Sequence, residues 1–153
     1  MTITNDEVIS TLNNLIEICK DGQDGFKAAA EGVEAPETKN LFYHYSQQRA
    51  QFAGELQEQV RHLGGDPEQS GSMAGAVHRG WINLKAALTG KDQHAVLTEC
   101  ENGEDSAVSN YQAALQKELP VDVKQLVSQQ ADTIKQAHDR VRSLRDLVKA
   151  AKA

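Results

Sequence analysis

The residues of this chain that could do chemistry sit in the middle of four long apolar repeats. The first repeat carries Asp21, Gly22, Gln23 and Asp24; the second Gln48, Arg49 and Gln51; the third Glu101 and Glu104; the fourth Gln129, Gln130 and Thr133. In a helix bundle these residues share one height of the core. A di-metal site at that height takes one Glu from each of two helices and a Glu-x-x-His from each of the other two, because carboxylates and imidazoles suit iron or manganese. Here the two places for Glu-x-x-His read Gln48-x-x-Gln51 and Gln130-x-x-Thr133, without a histidine in either. Neutral amides do not supply the negative charge that draws divalent cations into a low-dielectric core. The expected arrangement is a core polar layer of Arg49, Glu104, Asp21, Gln48 and Gln130, with no cofactor. The alternative is an atypical iron or manganese site built from Glu104, Glu101 and Asp21.

Arg49 is the exception on the second apolar stripe, between Tyr45 and Phe52. A buried guanidinium is costly unless paired, and so is a buried carboxylate. At the same height each relieves the other through a charge-assisted, bidentate hydrogen bond, which predicts an Arg49–Glu104 pair in place of a metal. Asp21 or Asp24 is the candidate second acceptor, reached past the missing side chain of Gly22. The competing reading has Arg49 lay its stem on the stripe and keep its head in water.

Other chemistry is thin. Cys19 and Cys100 fall on apolar stripes and read as buried free thiols, since no C-x-x-C is present. His44, His62, His94 and His138 lie off or at the edge of the stripes and read as rim residues, His138 being one step from the Ala137 seam position. The serines have no identifiable His/Asp partner. Gly71-Ser72-Met73-Ala74-Gly75 follows no strand and lacks a P-loop lysine.

Four helices must position the layer. Val8, Leu12, Leu15, Cys19, Gly22, Phe26, Ala29 and Val33 alternate steps of four and three, which predicts a helix over 5–32 with Thr4 or Asn5 as cap. Ile9 and Ile16 widen its stripe. Phe42, Tyr45, Arg49, Phe52, Leu56, Val60 and Leu63 predict a second helix over 37–63, with Pro36 at its start and Gly64-Gly65-Asp66-Pro67 at its end. Leu97, Glu101, Glu104, Val108, Tyr111 and Leu115 predict a helix over 92–117 capped by Asp92. Val123, Val127, Gln130, Ile134, Ala137, Val141, Leu144 and Val148 predict one over 122–149 capped by Asp122. The short breaks at 32–36 and 117–122 make two antiparallel hairpins. Between them, Met73, Val77, Trp81, Leu84 and Leu88 have helical spacing and predict a fifth, short helix over 73–89. Trp81 is its packing anchor, while its neighbours His78 and Arg79 read as surface residues. Hairpin, long crossover, hairpin is the connectivity of ferritin-like folds. The glycines inside helices, Gly22 and Gly25, mark places where something approaches the backbone closely.

The chain of 153 residues is long enough for one domain with a core of its own. Its formal net charge of −6 lacks the electrostatic footprint for nucleic acid and is repelled by anionic lipid. No apolar run approaches a membrane span, and the first residues have neither a basic nor an apolar leader region, so a cytoplasmic location is expected.

Several segments carry a resemblance. Leu15-Ile16-Glu17 with Asp21-Gly22-Gln23-Asp24-Gly25-Phe26, His78-Arg79-Gly80-Trp81, Glu99-Cys100-Glu101-Asn102-Gly103-Glu104-Asp105, and Ala137-His138-Asp139-Arg140-Val141 resemble a bacterial family of ferritin-like four-helix bundle proteins catalogued as a domain of unknown function. The likeness covers nearly the whole chain and is most specific at Gly103-Glu104-Asp105 with Tyr111. It implies an all-α, ferritin-like antiparallel bundle and no particular activity. Of the ferritin-like ligand pattern, it carries over at most Glu104 and Asp21.

The expected function is a non-enzymatic binding or structural module acting on an unknown protein partner or on itself, with surface beside Ile9 and Ile16 for a homodimer. The alternative is a metal-binding protein of oxidase, peroxidase or storage type. A small-molecule binder using the space beside Gly22, Gly25 and Gly103 is a third reading.

Overall fold

The computed structural model describes residues 3–69, 81, 83–90 and 92–152. Its elements are α1 (Asn5–Gly32), α2 (Pro36–His62), α3 (Leu84–Thr89), α4 (Gln93–Leu115) and α5 (Val121–Lys152). No strand occurs among the described residues.

The helix ends follow from local chemistry. The Thr4 hydroxyl accepts from the Glu7 amide at 3.2 Å, and Asp92 Oδ1 accepts from the His94 amide at 3.1 Å, each satisfying a donor that the first turn leaves open. The last turn of α1 holds no basic residue. Instead, Lys39 of α2 donates from Nζ to the Ala30 carbonyl at 2.9 Å. After α2, Gly64 takes a φ of +83°. Its amide bonds Arg61 O, and that of Gly65 bonds Val60 O, both at 3.0 Å: a Schellman end, which needs a left-handed residue where glycine costs least. The expected fifth helix is described only as Leu84–Thr89, and Met73, Val77, His78 and Arg79 lie outside the described residues. α5 begins one residue earlier than its expected cap. Asp122 lies inside the first turn, and the Pro120 carbonyl accepts from the Lys124 amide at 2.8 Å.

Side-chain contacts give the topology. Asn5 at the start of α1 reaches the Leu63 carbonyl just past the end of α2, and Ser46 reaches the Gln23 carbonyl, so α1 and α2 run antiparallel. Tyr111 with Gln130, Asp105 with His138, and Glu101 with Arg145 make α4 and α5 antiparallel. Thr11 with Lys117 and Asn14 with Asn110 make α1 and α4 antiparallel. α2 and α4 therefore run parallel, matched at Thr38 with Gln93 and at Arg49 with Glu104. Parallel helices cannot be joined by a tight turn, so α2 and α4 need a long connection.

The apolar core is in two parts. One gathers Leu12, Leu15, Ile16, Phe52, Leu56, Tyr111, Val127 and Ile134. The other gathers Phe26, Phe42, Trp81, Leu84, Leu97, Cys100 and Val141. Asp21, Gly22, Arg49, Gly103 and Glu104 lie between them along their helices. Ile16, expected to leave a dimer surface, is fully buried within the chain. Ile9 is half-buried and packs against Gly65, where an added Cβ would lie 2.8 Å from Ile9 Cδ1. Ile16 is thus used wholly and Ile9 partly within the chain, and among the described residues the large hydrophobic side chains that remain exposed are Tyr43, Val121 and Leu147.

Candidate functional site: a buried ion-paired layer

Arg49 and Glu104 meet at the centre of the bundle. Their side chains are 1% and 0% exposed, which leaves no water to share the charge. Nη1 donates to Glu104 Oε1 and Nη2 to Oε2, the latter at 2.6 Å. This is the parallel two-bond geometry that a planar guanidinium matches and an ammonium cannot. Nε turns to Gln48 Oε1 at 3.4 Å. The guanidinium carbon lies 5.4 Å from the Phe26 ring centroid, within cation–π range. Burial pushes the Arg49 pKa down, but Glu104 beside it more than reverses that, so the guanidinium is held above its ordinary value and stays charged.

α1 makes the room. A Cβ on Gly22 would lie 3.3 Å from both Cγ and Nη1 of Arg49, so a side chain there would press on the guanidinium. Gly25 and Gly103 serve a different neighbour. A Cβ on either would lie 2.5 or 2.1 Å from Trp81 ring carbons, and Trp81 packs edge-on against Phe26 with ring centroids 5.1 Å apart. Trp81 is thus wedged between α1 and α4 at glycines on both. The structure puts aromatic side chains in that space, which the sequence leaves open to a small molecule.

A second buried network ties all four long helices together. Gln130 Nε2 donates to the Phe52 carbonyl at 3.3 Å and to Glu55 Oε1 at 3.0 Å, so its Oε1 is the acceptor for the Tyr111 hydroxyl at 2.7 Å. Tyr111 has spent its one proton, which leaves the Cys19 thiol to donate to Tyr111 Oη across 3.1 Å. Burial pushes the Cys19 thiol up to about 11, the Tyr111 hydrogen bond being too weak to reverse it. Burial, with Glu104 and Glu99 adding to it, raises Cys100 well above its ordinary value. Neither thiol is ionised at neutral pH, so neither is poised as a nucleophile or a metal ligand. Burial raises Tyr111 well above its ordinary value also.

The remaining candidates are scattered. Asp21 is buried in α1 and Asp24 faces solvent, so Asp24 is not a second acceptor for Arg49. Glu101 turns toward α5, where Arg145 Nη1 donates to its Oε1 at 2.5 Å and Arg142 Nε stands 3.5 Å from Oε2. Gln48, Gln51 and Thr133 line a cavity of about 300 Å³ between α2 and α5, with His44, Gln47 and Phe52. His44 and His62 are exposed and His94 is half-buried, as rim residues should be. His138 is not: it is buried on the α4–α5 seam, with Nε2 2.5 Å from Asp105 Oδ1. Glu99 was also missed by the pattern. It is buried, accepting from the Asn83 amide at 3.2 Å and from Asn102 Nδ2 at 3.0 Å, and so anchors the start of α3 to α4.

These residues do not fit a pair of metal ions. Both oxygens of Glu104 are taken by a guanidinium, and Glu101 is drawn off to Arg145. Among the described residues no three His, Cys, Asp or Glu side chains converge to hold an ion. No described helix is long and apolar enough to cross a membrane.

Comparison with known proteins agrees with the fold. A family model described as domain of unknown function DUF2383 matches residues 7–117. No curated protein matches the chain. Among solved structures, a point mutant of Dps1 from Mycobacterium smegmatis superposes with a TM-score of 0.73 at 13% identity, covering 92% of this chain and 96% of that one. A dodecameric thioferritin, the bacterioferritin-related protein of Bacteroides fragilis, superposes with a TM-score of 0.76 at 12% identity, covering 99% and 92%. At such identities the likeness speaks for the fold alone. The chain belongs to the DUF2383 family, and it is a ferritin-like helical bundle that lacks the usual di-iron ligand set.

Proposed function

We propose that this protein is a non-enzymatic helical module, a single ferritin-like domain whose mid-height layer is filled by its own ion pair. It acts by binding a protein partner or further copies of itself, in the cytoplasm and without a cofactor. One observation carries the reading: Arg49 occupies both oxygens of Glu104, a central carboxylate that the wider ligand pattern would use. A cation supplied by the chain neutralises the carboxylate and takes one lone pair on each of its oxygens, so another cation would have to displace Arg49. High thiol pKa values remove the other ready chemistry. Self-association belongs to the same reading, because Leu147 is 67% exposed and Tyr43 37%, and the similar thioferritin is dodecameric.

Metal analysis of protein purified without chelator tests the reading, and the expected result is iron and manganese well below one ion per chain. Stoichiometric iron or manganese would overturn it in favour of a metal-binding protein with an atypical ligand set. Sedimentation at high micromolar concentration reads the assembly separately. A monomer there removes self-association and leaves binding to another protein.

A further inference from the structure

α2 and α5 run antiparallel and touch where Gln130 donates to the Phe52 carbonyl and to Glu55 Oε1. Beside that contact they part, and the cavity of about 300 Å³ fills the gap. Gln48, Gln51 and Thr133 line it, from the positions where a di-metal bundle carries Glu-x-x-His. Gln51 is exposed and Gln48 and Thr133 are half-buried, so the cleft is open to solvent. Its hydrogen-bonding groups are largely uncommitted. Gln48 Oε1 accepts from Arg49 Nε at 3.4 Å, which leaves both Nε2 hydrogens to donate. Thr133 donates its hydroxyl to the Gln129 carbonyl at 3.1 Å and keeps its lone pairs. Among the described residues, His44, Gln47 and Gln51 make no hydrogen bond. We propose that this cleft is a binding site for a small hydroxy acid, with Arg140 taking its carboxylate and the amides and Thr133 taking its hydroxyl groups.

Arg140 is free for that role. Arg49, Arg61, Arg142 and Arg145 each stand against a carboxylate, and among the described residues Arg140 is the one arginine that does not. It lies two turns beyond Thr133 on the same side of α5. A helical side chain leans toward the turn before it, which here is toward the cleft. Tyr45 marks its place across the seam. Burial raises the Tyr45 phenol above its ordinary value, Glu104 adds to that, and Arg140 pulls the other way. The Tyr45 ring stands 5.8 Å from that of His44, which lines the cleft, so Arg140 stands at the His44 end. The ligand class follows from the wall. None of the lining residues is a carboxylate, and Glu55, one turn beyond Gln51, is taken by Gln130, so an ammonium group finds no counter-charge. A guanidinium fork matches a carboxylate through two parallel bonds. Side-chain amides donate and accept, as ligand hydroxyls do. Phe52 is the one apolar side chain of the lining, so an apolar tail would find little cover. The volume is at the small end for ligand sites.

The test is an amide NMR titration of the full chain at constant low ionic strength. D-gluconate and L-malate are the hydroxy acids. Sorbitol supplies hydroxyls without a carboxylate, and butyrate a carboxylate without hydroxyls. At least one hydroxy acid should give saturable shifts confined to residues 44–52 and 129–140, with a dissociation constant on the order of 1 mM. Sorbitol and butyrate should each bind at least about tenfold more weakly. Arg140→Gln keeps a donor but removes the charge, and it should weaken the hydroxy acid roughly ten- to a hundredfold. Gln51→Leu should weaken it about three- to tenfold. Arg140 and Gln51 are both exposed, so neither change disturbs the core. Failure of both hydroxy acids to saturate at tens of millimolar, butyrate binding as tightly as they do, or affinities that neither variant lowers would each overturn the proposal.

Discussion

Truncating Arg49 to alanine should be among the most damaging single changes in the chain. The substitution leaves the Glu104 carboxylate, 0% exposed, without either of the two guanidinium donors that Arg49 gives it, and breaking a buried pair from one side costs about 3–5 kcal/mol. In a domain of this size that lowers the melting midpoint by roughly 6–20 °C. The pair itself need not be strongly stabilising, because each ion gave up its hydration to enter the core. Arg49→Met with Glu104→Leu should therefore cost far less than the two single changes summed, and the coupling energy should be on the order of 3 kcal/mol. Arg61 and Glu58 supply the internal control. They too form an ion pair, at 2.9 Å, but are 51% and 64% exposed, and their coupling should be about 0.3–0.5 kcal/mol. Urea unfolding of the wild type, of the three single variants and the double variant at Arg49 and Glu104, and of two single variants and a double variant at Arg61 and Glu58, with the slope checked for constancy, measures all of this. If Arg49→Ala shifts stability by only a few tenths of a kcal/mol, or if the double variant is additive, the layer is not ion-paired in the dry core and the reasoning fails.

Glycine substitutions should sort by what faces them. Gly103→Ala puts a Cβ 2.1 Å from Trp81 and should destabilise by about 1–3 kcal/mol, whereas Gly54→Ala meets nothing within 4 Å and should stabilise by about 0.5–1 kcal/mol; thermal melts of both decide it. Tyr111→Phe removes the bond to Gln130 and the acceptor of the Cys19 thiol, and should cost roughly 1–3 kcal/mol in the same assay. Because Cys19 is raised to about 11 from its unfolded value of 9.0, the unfolded thiol ionises first. This group alone should therefore lower stability by about 1.4 kcal/mol per pH unit between those values, in addition to the declines that the raised Cys100 and Tyr111 bring, and Cys19→Ala should remove its share of the slope in urea titrations at pH 8 and pH 10.

The helical plan was readable because it rests on periodicity and punctuation. The Val8 to Val33 stripe, Pro36 at a helix start and the Gly64-Gly65 end each have a local physical cause, and the structure repeats them within a residue or two. Arg49 stood out for a similar reason, since a charge on an apolar stripe demands either a partner or an exit to water. The purpose of Gly25 and Gly103 was not readable, because Trp81 comes to them from a segment whose path no pattern specifies. Glu101 shares a helical stripe with Glu104 yet belongs to the α5 seam. One helical step of 300° between them is enough to turn a side chain from the centre to a neighbour, and periodicity alone cannot say which neighbour is near. His138 was misplaced at the rim for the complementary reason: it is buried at the seam with α4, where it meets Asp105, and its own stripe does not show that neighbour.

Trp81 also gives the molecule a built-in reporter. It is the only tryptophan in the sequence, and its ring occupies the seam where the first hairpin meets the second, touching Gly25 of one and Gly103 of the other. Indole emission from this chain therefore comes from a single place, the contact between its two halves. Backbone ellipticity, by contrast, sums over every turn of every helix. If the two hairpins were to part while each stayed helical, emission would shift to the red with ellipticity unchanged, so the two optical signals together separate docking from coiling in one unlabelled sample.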